Sequence, residues 1–321
     1  GLELVISSVF SPGSGRDYVT GQIEFTAGRL RDTLTVRRVP IAEMFARSNV
    51  VLNAGVLTFA VTAEDNRDIP AWSQGVFFKW GSLIALASAG NPYDPEVQAV
   101  YYPPHLNPSD WKGGLIGWDK IPYAHSNFNF SMPSGTGEDV DAFAGYSGNT
   151  GFNENVGVGD ICRYISSGPG GKGWVEGEWR LPTNAELELL YEETGIKTVS
   201  MGGFVNMTAE LNRDAGNYLH GNFDPESGWF LGANVTGSMA TPANRTTPPS
   251  GTVFLPSAGQ RYPDGNGDVV HVGAYGYYWA STPYSVNGGY IADYLFIYKS
   301  GVDFNAADRS YAFPVRCIKD Y

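Results

Sequence analysis

Trp179-Arg180-Leu181-Pro182-Thr183-Asn184-Ala185-Glu186-Leu187-Glu188-Leu189-Leu190 carries the clearest structural signal in the chain. Thr183 is a good N-cap, and Glu186 three residues later completes a T-x-x-E capping box. Leu187, Leu190 and Tyr191 then form one apolar face at helical spacing. Gly195 is a natural stop, because glycine takes the left-handed conformation after a helix without steric cost. The spacing predicts a helix over Thr183–Thr194. A second helix is expected at about 155–167, around Cys162.

Outside these helices the chain reads as strands and turns. Residues 2–10 read as a strand, and residues 18–38 as a hairpin around Ala27-Gly28-Arg29. Leu57–Val61 alternates, and Gly75–Trp80 followed by Gly81–Leu86 looks like buried strand. Residues 90–160 show little periodicity and are read as long loops packed by Trp111, Trp118, Tyr123, Phe128 and Phe130. Pro263–Asp268 is a turn. Gly276–Thr282, Tyr290–Lys299 and Ala312–Lys319 read as closing strands. The expected class is α+β, an antiparallel sheet with one or two helices and long loops. Pro40 divides the 321 residues into a small β segment, 1–40, and a main domain, 41–321.

Charge narrows the function. Only 17% of residues are charged and the net charge is −12. Nucleic acid calls for a basic stripe, so it is excluded as a partner. No run of 18 apolar residues suggests a transmembrane helix. The two cysteines, Cys162 and Cys317, either form a disulfide in an oxidising compartment or remain as two buried thiols.

Catalytic signatures are weak. The four histidines, His105, His125, His220 and His271, lack metal spacing and read as turn or surface residues. Gly145-Tyr-Ser-Gly148 is not a nucleophile elbow. Glu138/Asp139/Asp141, Glu192/Glu193 and Asp264/Asp268 are acidic neighbours without a catalytic marker. Asp264-Gly-Asn266-Gly-Asp268 looks like the first half of a calcium loop, but the downstream bidentate Glu is missing. No cofactor is therefore assigned, and Asp264, Asn266 and Asp268 stand only as a weak calcium candidate. Gly168–Gly173 reads as a flexible loop rather than a phosphate loop. Aromatic density is the distinctive property. Tyr277, Tyr278, Trp279, Tyr284, Tyr290, Tyr294, Phe296 and Tyr298 crowd one stretch, and strand alternation divides them between core and surface.

Three motifs occur in order: Trp179–Leu190, Gly276-Tyr-Tyr-Trp-Ala-Ser-Thr-Pro-Tyr284, and Phe313-Pro-Val-Arg-Cys-Ile-Lys-Asp320. Together they resemble the Fibrobacter succinogenes major paralogous domain, over roughly residues 160–321. The Trp-Arg-Leu-Pro-Thr start also looks like the formylglycine-generating enzyme and C-type-lectin-like superfamily. Phe45–Ser88 looks like the leading part of larger Bacteroides members, and residues 2–38 resemble the last strands of an Ig-like, BACON-type module. The resemblance implies a C-type-lectin-like fold, with Cys162 bridged to Cys317 and with Trp179, Leu181, Trp279, Val315 and Ile318 in the core. It implies that Arg180 and Arg316 are buried or half-buried partners of carbonyls or carboxylates. The family is common in secreted and surface proteins of Bacteroidetes, including fimbrial-type proteins, so an extracytoplasmic, cell-surface or outer-membrane location is expected, with a lipid anchor upstream. The lectin triplets Glu-Pro-Asn and Gln-Pro-Asp are absent, and so is a redox cysteine pair near the C-terminus. Calcium-dependent sugar binding and sulfatase activation do not carry over.

The expected function is a non-catalytic adhesin that binds a glycan or a host or bacterial surface protein through an aromatic loop face. Its expected residues are Ser281, Thr282, Tyr284, Asn287, Tyr290, Asp293, Asn305 and Arg309. The alternatives are a structural pilus subunit, with other fimbrial subunits as partners, and a glycan-active or sulfatase-activator-like enzyme.

Overall fold

The computed structural model describes residues 19–27, 30–38, 41–53, 55–59, 75–87, 96–106, 115–125, 138–167, 173–192, 199–201, 209–212, 218–221, 228–232, 251–263, 267–271, 274–284, 290–298 and 301–320. The strand expected at 2–10 lies outside them. Among the described residues the architecture is α+β, with antiparallel ladders and the α-helices α1 (Ile41–Met44), α2 (Ile161–Ser167) and α3 (Asn184–Glu192). The hairpin expected at 18–38 is present as Val19–Ala27 paired with Leu30–Arg38.

The largest sheet among the described residues has seven strands. In space their order is Val269–Val270, Gln260–Arg261, Ala312–Pro314, Phe77–Lys79, Ala85–Leu86, Glu96–Tyr101 and Leu115–Gly117. Phe313 pairs with Phe78, so the end of the chain is sewn into the strand expected at 75–80. Glu96–Tyr101 and Leu115–Gly117 correct the irregular reading of 90–160. Glu96-Val-Gln-Ala-Val-Tyr101 alternates, but too briefly beside its Asn, Pro and Asp neighbours to stand out. Trp118 and Ile121 are nevertheless buried there.

A second sheet is a C-terminal meander of three strands, Gly276–Tyr284, Ile291–Tyr298 and Gly301–Asp308. The third strand was not expected. Val302, Phe304 and Ala306 alternate with Asp303 and Asn305, but the polar half of that pattern resembles a loop.

Helix α3 lies on one face of the meander. Its start follows the capping box: the Thr183 N–H donates to Glu186 Oε2 at 2.8 Å, and the Glu186 N–H donates to Thr183 Oγ1 at 3.3 Å. Leu187 and Leu190 then pack with Tyr278, Ala280, Leu295, Ile297 and Val302 in one buried cluster.

Helix α2 begins at Ile161, later than the expected 155, because a tight ribbon precedes it. Phe152–Asn153 pairs with Val158–Gly159. Gly159 has φ +146°, and a Cβ there would fall 2.2 Å from the Phe152 Cα. Asp160 then caps the helix, its Oδ1 accepting from the Cys162 N–H at 2.8 Å and its Oδ2 from the Leu181 N–H at 2.8 Å.

Cys162 and Cys317 form a disulfide that ties α2 to the last strand, Ile318–Lys319, which pairs with Trp179–Arg180. In the chain-entropy picture such a closure contributes about 4–5 kcal/mol. Ion pairs support the same junction. Arg163 meets Asp141 at 2.8 Å and Asp320 at 2.7 Å, and Arg180 meets Asp320 at 3.0 Å and Glu186. Arg316 instead sits in the interior, donating to Asn49 Oδ1, Ala46 O and Phe254 O. Trp179, Leu181, Trp279, Val315 and Ile318 are all buried.

Candidate ligand-binding face

Cross-strand pairing decides which side chains share a face of the meander. Tyr277 lies opposite Phe296, and Phe296 opposite Asp303. Trp279 lies opposite Tyr294, and Tyr294 opposite Asn305. Tyr298 lies opposite Gly301. One face therefore carries Tyr277, Trp279, Tyr294, Phe296, Tyr298, Asp303 and Asn305. The other carries the leucine and isoleucine side chains under α3.

The aromatic face is graded from buried to open. At its inner end Trp279 stacks on Phe313 with ring centroids 4.1 Å apart, and both are buried. Tyr294 and Phe296 are half-buried, and each lies 5.0 Å from an inner ring, Phe313 and Tyr277 respectively. Phe296 stacks on the partly exposed Tyr298 at 5.2 Å and 26°. Tyr275 closes against Phe296 at 5.4 Å. Asp303 and Asn305 are exposed beside these rings.

Two details fix the outer end. A Cβ on Gly301 would come within 2.9 Å of the Tyr298 hydroxyl, so the ring lies across the glycine. Asp303 lies diagonally across the strands from Tyr298 on the same face, and its negative charge raises the Tyr298 phenol's pKa. His271 borders the inner end, with Nδ1 2.8 Å from the Tyr277 hydroxyl, and burial lowers its pKa.

The described residues expected to form the site are not all displayed on one loop face. Ser281 and Thr282 are buried, which corrects their placement on a displayed loop. The first closing strand runs on through Tyr284, and Thr282 serves α3: its Oγ1 accepts from the Asn184 N–H at 2.9 Å and lies 3.3 Å from Glu138 O. Arg309 is corrected in the same way. It is buried, with its guanidinium 4.1 Å over the Trp80 ring and its Nε donating to Ile291 O at 3.0 Å. Asp293 points to the α3 side of the meander, half-buried, because it alternates with Tyr294. Tyr284 and Tyr290 are exposed at the end of the sheet. Asn305 is exposed on the aromatic face, in a strand rather than a loop. Asn287 lies outside the described residues. Phe296, Tyr298 and Asp303 were missed as a set. The period-2 pattern placed the rings, but nothing showed that Gly301–Asp308 would pair beside them.

Other ionisable groups serve the interior. Lys79 is buried, donates to Trp118 O at 2.6 Å, and lies 4.2 Å from the Trp118 ring centroid. Burial pushes its pKa down to about 7 against the pull of Asp119 and Asp308. Among the described residues, no three His, Cys, Asp or Glu side chains are grouped to hold a metal ion. Asp264 and Asn266 lie outside those residues. Gly267 packs flat against the Trp118 ring and its carbonyl accepts from Arg261 at 2.7 Å. No described helix is long and apolar enough to cross a membrane.

No protein-family model, curated protein or solved structure matches this chain.

Proposed function

We propose that this chain is a non-catalytic, extracytoplasmic binding protein of the cell surface, of fimbrial type, that holds a glycan on the aromatic face of its C-terminal meander. The reading includes a C-type-lectin-like fold related to the Fibrobacter succinogenes major paralogous domain, on the strength of the three ordered motifs. The observation that carries it is the graded run of rings ending in Phe296 and Tyr298, with Asp303 and Asn305 exposed beside them. Sugars present an apolar face to aromatic rings and hydroxyl groups to neighbouring carboxylates and amides. The buried disulfide supports an oxidising compartment.

A glycan array probed with the whole chain tests the reading, once with calcium and once with chelator. Chelator-resistant binding to a defined sugar class is expected, and Tyr298→Ala should abolish it while the melting temperature stays near that of the parent. A blank array, or binding that survives Tyr298→Ala unchanged, overturns the site.

A further inference from the structure

Resting on that reading, we propose that the outer aromatic face selects a sugar bearing a free amino group, in its protonated form, over the N-acetylated form. Three observations converge on this class. The rings at the outer end present their faces in series, Phe296 stacked on Tyr298 and Tyr275 against Phe296. Such faces attract cations as well as apolar sugar surfaces. A carboxylate stands beside them: Asp303 lies directly opposite Phe296 and diagonal to Tyr298 on the same face. Lastly, no Lys or Arg occurs among the described residues of this face, Tyr275, Tyr277, Trp279, Tyr294, Phe296, Tyr298, Asp303 and Asn305. The protein's buried cations, Lys79, Arg261, Arg309 and Arg316, are held in the interior by carbonyls and rings.

The charge balance decides between ligand classes. A carboxylated or sulfated sugar would face Asp303 with no compensating cation among the described residues of the face, and its binding would be opposed. A neutral sugar would use the rings and Asn305 but leave Asp303 unused. An ammonium group can sit between the ring faces and the Asp303 carboxylate, adding a cation–π contact and a charge-assisted hydrogen bond. Tyr298 contributes its ring, stacked on Phe296 beside the carboxylate.

Glucosamine oligomers and N-acetylglucosamine oligomers of equal linkage and length provide the probes. Calorimetry on the whole chain, at a pH where the amine is protonated, should show the amine form bound about tenfold more tightly. Because Asp303 is exposed, raising the salt concentration should narrow the difference. Asp303→Asn should close it while leaving the weaker binding of the acetylated form intact. Equal affinity for the two probes, or a preference that survives Asp303→Asn, overturns the amine selection and leaves the aromatic face standing. Binding of both probes that is indifferent to Tyr298→Ala overturns the face itself.

Discussion

The two faces of the C-terminal meander are built from the same three strands and differ in what covers them. Under α3, Leu295, Ile297 and Val302 are buried with Tyr278 and Ala280, and the face is mostly aliphatic. On the opposite side Tyr294, Phe296 and Tyr298 form a half-buried ladder. Aliphatic side chains supply area removed from water and little else. Aromatic rings supply area too, but a tyrosine keeps a hydroxyl that can face solvent or a partner. A face meant only for packing has no need of an exposed carboxylate, Asp303, beside its rings. Strand alternation therefore divides stability from display, residue by residue.

Leu295→Ala should produce the largest effect. Leu295 is fully buried, and its truncation leaves a cavity between the meander and α3. The expected loss is about 2–5 kcal/mol. Chemical denaturation measures it, and ligand affinity of the folded protein should stay at the parent level. A fall in affinity without a fall in stability would break the division between the faces.

Thr282→Val tests the join between helix and sheet. The substitution keeps the shape and removes the acceptor for the Asn184 N–H, while Glu138 O retains the Ala185 N–H at 2.9 Å. One buried donor is left without its partner, which costs about 1–2 kcal/mol. Hydrogen exchange should report the loss as faster opening of the first turn of α3. Were Thr282 a ligand contact instead, affinity would drop and protection would not change.

The same division explains how much was legible in the sequence. The capping box of α3 is local chemistry, and Thr183, Glu186, Leu187 and Leu190 all behave as their spacing requires. The core residues of the three motifs were legible because large apolar side chains at strand spacing have few alternatives to burial. The proposed binding face was less so. Ser281, Thr282 and Arg309 are polar types beside turns, and polarity suggests display. Their burial depends on partners far along the chain: Asn184 for Thr282, and Trp80 and Ala124 for Arg309. Conversely, Phe296 shares a face with Asp303 only because Gly301–Asp308 folds back in one particular register, and a shift of one residue would exchange the faces.

Asp293 is the exception on the covered face, and it gives the smallest and most specific prediction. It alternates with Leu295 and Ile297 yet carries a charge, and the groups that face it are Glu188 from α3 and Glu138. Burial and these two carboxylates push its pKa up to about 6. The folded state thus holds this proton more tightly than the unfolded chain does. Ionised Asp293 opposes folding above about pH 6, and the penalty fades as the pH falls through that value toward the ordinary aspartate range. Solvent screens a half-buried group, so Asp293→Asn should add only about 1 kcal/mol at pH 8. It should add nothing near pH 3.5, below both titrations. Thermal melts at the two pH values measure the difference. An equal change at both would mean that the substitution acts through packing rather than charge. A loss of stability at pH 8 would mean that the negative charge has a favourable partner on the α3 side, and the two faces would then differ in coverage but not in function.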